Sequence, residues 1–119
     1  MRDHTKLRAF ELVDEIVVLI YRLTADFPKE EMFGLISQMR RAAVSIPSNI
    51  VEGCARDSKA DYLRFLNIAF GSLRELHYQI NLSNRLGYLS VDDSSLIEPK
   101  IIEAEKVLSS LIRALRENV

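Results

Sequence analysis

The chain has 119 residues, 48% of them hydrophobic and 28% charged, with a formal net charge of −1. That balance describes one globular domain with a modest core, which oligomerisation would help to cover. No global basic field announces a nucleic-acid partner, and the single cysteine, Cys54, excludes an internal disulfide framework.

The opening stretch MRDHTKLRAFELVDE carries charges too early and too often for a signal peptide. No apolar run approaches the roughly 20 residues that span a bilayer. The expected location is cytoplasmic, with no membrane partner. Apolar residues then recur at three- and four-residue steps almost throughout, which predicts an all-α chain. The first segment runs from about Thr5 to Thr24, with Leu7, Phe10, Val13, Ile16, Val17, Ile20 and Leu23 on one face. Phe27-Pro28 ends it, and Glu30 and Glu31 suit the positive N-terminal end of the next helix.

The second segment is predicted from Lys29 to Ala55, with Met32, Ile36, Met39, Ala43, Ile46, Ile50 and Gly53 as its seam. The third starts at Ser58, an N-cap with an acid three residues on. Its stripe is Tyr62, Leu66, Ala69, Leu73, Leu76, Ile80 and Ser83, and Gly87 is its C-cap. The fourth opens near Ser90 with a second capping signal and carries Leu96, Ile97, Ile101, Ala104, Leu108, Leu111 and Leu115. Pro99 implies either a kink there or a regular helix that begins there. Short connections between four amphipathic helices give an antiparallel up-down-up-down bundle, in a single domain over residues 1–119.

The second helix has three faces. Besides the seam, Gln38, Arg41, Ser45, Asn49, Glu52 and Arg56 share an arc of about 60° at roughly 100° per residue. Two readings stand: a solvated face with Glu52 and Arg56 paired at i,i+4, or a polar network at a helix–helix or subunit boundary. Gln, Ser and Asn favour the network, because a merely solvated face would use Glu and Lys more often. A third arc holds Phe33, Val44, Pro47, Val51 and Ala55, broken by Arg40, and widens the apolar band, which points either to deep burial within the bundle or to a subunit interface. Pro47 removes the hydrogen bond to the Ala43 carbonyl, so a kink is expected. Gly53 sits on the seam, and Gly71-Ser72 predicts a close helix contact in the third helix.

Charge is unevenly spread. From Gln38 to Tyr88 seven basic residues face four acidic ones, whereas from Val91 to Val119 four face six. Arg40, Arg41, Arg56, Lys59 and Arg64 are therefore the candidates for contact with RNA or DNA. Catalytic signals are missing. His77 has Leu73 and Asn81 as its i±4 neighbours, Cys54 has no helical histidine beside it, and the four glycines are isolated from one another. No cofactor, metal or enzymatic activity is expected.

The ordered string Phe27-Pro28, Gly34-Leu35, Gln38, Arg41-Ala42-Ala43, Ser45-Ile46-Pro47, Asn49-Ile50, Glu52-Gly53 and Arg56 is distinctive. It continues as Phe65-Leu66, Ile68-Ala69, Gly71-Ser72, Glu75-Leu76 and Leu86-Gly87-Tyr88-Leu89. The chain resembles the four-helix-bundle family of proteins encoded in intervening sequences of large-subunit ribosomal RNA. It is also similar to the accessory protein of diversity-generating retroelements. The resemblance implies a homo-oligomeric ring, a pentamer, without enzymatic activity. It implies a protein or RNA partner for the scaffold. The alternative it carries is a nucleic-acid-binding accessory protein of a reverse transcriptase, although those accessory proteins are strongly basic and this chain is not.

Overall fold

A computed structural model describes residues 2–118. After a 3₁₀ turn at His4–Lys6, four α-helices follow: α1 (Arg8–Thr24), α2 (Leu35–Cys54), α3 (Lys59–Arg85) and α4 (Val91–Glu117). The bundle is elongated, 47 × 24 × 20 Å, as 27-residue helices of about 40 Å require.

Cross-helix pairs fix the directions. Met39, Arg41 and Ser45 of α2 meet Ser83, Glu75 and Ser72 of α3 in turn, so one chain direction rises as the other falls. Asn67 and Arg74 of α3 meet Arg116 and Glu105 of α4 in the same opposed sense. Glu15 of α1 pairs with Lys100 of α4, Arg8 with Glu103, and Arg40 of α2 reaches back to Thr24 at the end of α1. Each helix runs antiparallel to its neighbour in sequence, and α4 closes the bundle against α1.

The predicted stripes form the core. All seven residues of the α3 stripe are buried, as are Val13, Ile16 and Ile20 of α1 and Ile97, Ile101, Ala104 and Leu108 of α4. Leu7, Phe10, Val17, Leu23, Leu111 and Leu115 pack half-buried around it. Thr24, at the bottom of α1, is buried with its hydroxyl donating to the Ile20 carbonyl at 2.6 Å and accepting from Arg40.

Several boundaries differ from the sequence reading. The second helix does not begin at Lys29: residues Lys29–Glu31 form a 3₁₀ turn, and α2 starts after Gly34, whose backbone (φ −112°, ψ −113°) is not helical. Met32 and Phe33 therefore lie outside the helix and are exposed rather than seam or arc residues. Glu31 accepts the Leu35 N–H at 3.1 Å, placing a carboxylate at the N-terminus of α2 after all. In α4 the helix runs unbroken from Val91, so Pro99 lies within its third turn and the later start is corrected. Leu96 faces solvent, and Ile112 takes a core position instead.

The caps follow the sequence closely. Ser58 Oγ accepts the Asp61 N–H and Ser90 Oγ the Asp93 N–H, each at 3.1 Å. Beyond α3, Gly87 has φ +80°. The Tyr88 N–H donates to the Ser83 carbonyl and the Gly87 N–H to the Asn84 carbonyl, the paired bonds of a Schellman ending.

Candidate functional site

The polar arc of α2 lies along the α2–α3 boundary and crosses it. Arg41 donates to Gln38 Oε1 and to Glu75 Oε2 of α3, both at 2.9 Å, and Gln79 Nε2 reaches the same carboxylate at 3.3 Å. One turn on, Ser45 Oγ and Ser72 Oγ share a hydrogen bond of 2.9 Å, while Asn49 donates to Ser45 Oγ and to the Ser45 carbonyl. Glu52 and Arg56 end the row as an i,i+4 pair at 2.9 Å. Of the six residues, Arg41 and Ser45 bond directly to α3 and Gln38 and Asn49 brace those two, while Arg56, just past the end of α2, pairs with Glu52 and lays its guanidinium over the Phe65 ring of α3. Glu75 and Ser72 are the partners that helical spacing within α2 alone gave no means of finding.

The five candidate nucleic-acid residues do not converge. Arg40 turns to α1, donating to Thr24 Oγ1 at 2.9 Å and to the Tyr21 carbonyl at 3.2 Å, with its guanidinium over the Tyr21 ring. Arg41 is on the opposite side, held by Glu75. Lys59 donates to the Asn118 carbonyl at the end of α4. Arg56 and Arg64 do come together, stacked at 4.8 and 4.4 Å from the centroid of the Phe65 ring, but they pair with Glu52 and Asp61 respectively. A set that sequence proximity grouped is divided by the helix faces.

The structural positions separate as well. Pro47 is buried inside a helix that continues to Cys54, and it lines a depression of about 440 Å³ with Asp14, Val17, Val44, Ser48 and Val51 between α1 and α2. Gly53 lies against α3: a Cβ there would stand 2.9 Å from Phe65 Cβ and 3.3 Å from Tyr62 Cδ1. Gly71 corrects the sequence reading. A Cβ there would meet nothing within 4 Å, so its close contact is not made inside the chain, and Ser72 beside it carries the α2 contact instead.

A sequence model for the 23S rRNA-intervening sequence protein family matches residues 5–110, nearly the whole bundle. The chain belongs to that family. A crystal structure from Bacteroides thetaiotaomicron, described as a protein of unknown function from the S23 ribosomal protein family, superposes with a TM-score of 0.78 at 28% identity. The match covers 87% of this chain and 97% of that one. No curated protein matches.

In this intervening-sequence protein Cys54, Tyr62 and His77 each contact neighbouring side chains. Burial pushes the Cys54 thiol up from its ordinary range, which favours its protonated form. The adjacent Tyr62 hydroxyl is pushed up to about 12, first by burial and then by the Cys54 charge and hydrogen bond. Arg2 closes over this end, with its N–H on the Cys54 carbonyl at 3.1 Å and its guanidinium 4.1 Å from the Tyr62 ring centroid. His77 has a carboxylate after all, across the helix boundary: Glu105 Oε2 lies 2.9 Å from Nδ1 and also accepts from Arg74. Among the described residues no cluster of three or more His, Cys, Asp and Glu is placed to hold a metal, and no helix is long and apolar enough to cross a membrane.

Proposed function

We propose that this member of the intervening-sequence family is a non-enzymatic scaffold that assembles with copies of itself and presents the assembly to a protein or RNA partner. The observation that carries the reading is apolar surface left uncovered on two different sides of the bundle. On the α1–α2 side, Val18, Tyr21, Val44 and Val51 are each 37–48% exposed around the Pro47 depression. On the α2–α3 side, Tyr78 is 58% exposed and Leu86 half-exposed along one shallow depression, and Phe33, ahead of α2, is 96% exposed. Apolar patches of this kind on a helical bundle mark contact surfaces. Two unlike patches on one subunit suit a head-to-tail contact, which gives a ring when its rotation closes, better than a two-fold dimer. The number five comes from the family resemblance.

The polar row between α2 and α3 fits this role. It fixes the helix register through directed hydrogen bonds and spends its charged groups on positioning. Light scattering at micromolar concentration tests the reading. A mass near five times 13.6 kDa is the expected result, and a clean monomer of 13.6 kDa sinks self-assembly.

A further inference from the structure

Between α3 and α4 the bundle carries a groove that no sequence pattern marked. It consists of two adjoining depressions of about 220 and 490 Å³ that share Phe70, Ser109 and Arg113. Asn67 and Arg116 extend it at one end and Lys106 at the other. Lys106 and Arg116 are ten residues apart, which sets about 15 Å between them along the helix.

Its cations lie close together along one face of α4. Among the described residues, neither Lys106 nor Arg113 has a carboxylate within ion-pair distance, and Arg116 donates to the neutral Asn67 amide at 3.1 Å. The single acid in the lining, Glu105, is already held by Arg74 and His77, each at 2.9 Å. Three cations therefore line one groove with no carboxylate among the described residues in ion-pair contact, in a protein whose net charge is −1. Arg41, Arg56 and Arg64, by contrast, each pair with a carboxylate, and Arg40 is turned onto α1 by Thr24 and the Tyr21 carbonyl.

We propose that this α3–α4 groove binds a single-stranded nucleic acid, with Lys106, Arg113 and Arg116 on successive phosphates and Phe70 as a stacking floor for a base. A groove lined by cations along its length with an aromatic ring in it is the arrangement that tracks a single strand. Asn67 and Ser109 supply hydrogen-bonding groups to sugar and phosphate. An acidic peptide would use the cations but not the ring, and a duplex would not enter a cleft between two helices. The inference rests on the partner-binding half of the scaffold reading and not on self-assembly.

Titration of a fluorescein-labelled oligouridylate followed by anisotropy tests it, with the mass of each variant measured in parallel. Neutralising about three phosphates gives a salt slope near −2, a loss of roughly 15-fold between about 50 and 200 mM salt. The exposed pair Lys106→Glu and Arg113→Glu should weaken binding at least about tenfold without changing the helical spectrum or the mass. Arg22→Glu on α1 should leave the affinity within about twofold of the parent once net charge is matched. Phe70→Leu, which keeps an apolar packing group, should lose about fivefold. Several results overturn the proposal: no binding at low salt, equal loss in the Arg22 variant, an unaffected Phe70→Leu, duplex bound as tightly as single strand, or displacement by polyglutamate at equal charge. A monomer that binds retains the groove and loses the scaffold. A ring that does not bind retains the scaffold and loses the groove.

Discussion

Gly53 is the position where a single atom has most leverage. Its missing Cβ lets the last turn of α2 lie on the first turns of α3, with Phe65 Cβ at 2.9 Å from where that atom would be. Gly53→Ala gains about 1 kcal/mol of helix propensity, but the contact is with a Cβ rather than a flexible chain end, so α3 must move. Overpacking of this kind costs about 1–3 kcal/mol, and a net fall in thermal midpoint of a few degrees, read by circular dichroism, is expected. Close by, Tyr62 supplies a pH signature. It releases its proton near 10 in the unfolded chain and only at about 12 in the fold. The folded state therefore holds the extra proton between those values, and stability must fall as pH rises from about 10 to about 12. Denaturant midpoints at pH 9 and above check this, and Tyr62→Phe, which leaves the Cys54 thiol in place, should flatten the part of the decline due to Tyr62. Gly53 was legible as a seam residue because periodicity placed it there. The His77–Glu105 pair was not, because each member is unremarkable on its own helix and only the α3–α4 packing brings them within 2.9 Å.

At the scale of the element, helix existence and the buried stripe of α3 were readable because both follow from 3.6-residue periodicity. The start of α2 was not. Met32 and Phe33 continue the apolar rhythm, but Gly34 takes a non-helical backbone and Glu31 caps the next turn, so local backbone and capping chemistry overrode the pattern. Serine caps were legible for the same reason that they work: a short side chain followed three residues on by a free N–H. Ser90→Ala would strip the acceptor from the Asp93 N–H at the head of a 27-residue helix. Removing such a cap costs about 1 kcal/mol. Urea unfolding should show that loss in the midpoint with an unchanged slope, because the native surface buried is the same. Ser58→Ala should behave alike, since Ser58 makes the same bond at 3.1 Å.

For the whole molecule, counting charge along the chain does not show which cations share a face. The stretch from Val91 onward is net acidic, yet Asp92, Asp93, Glu98 and Glu103 occupy its first half while Lys106, Arg113 and Arg116 share the α3–α4 groove in the second. A helix sorts charge by face and by turn, and a linear tally averages over both. Gly71 raises the same issue for assembly. The sequence marked it as a place of close approach, and within one chain nothing approaches. In an exposed helix interior, Gly→Ala alone stabilises by about 1 kcal/mol. The scaffold reading adds a second copy on this face, next to the half-exposed Ile68 and the exposed Tyr78. Gly71→Ala should then raise the thermal midpoint of the dilute, dissociated chain and at the same time weaken assembly, because the added methyl holds the neighbour away. Melting at low concentration and light scattering at high concentration separate the two effects. A variant that is more stable and assembles as before would remove the α3 face from the interface and leave the α1–α2 side, around Pro47, Val44 and Val51, to carry it.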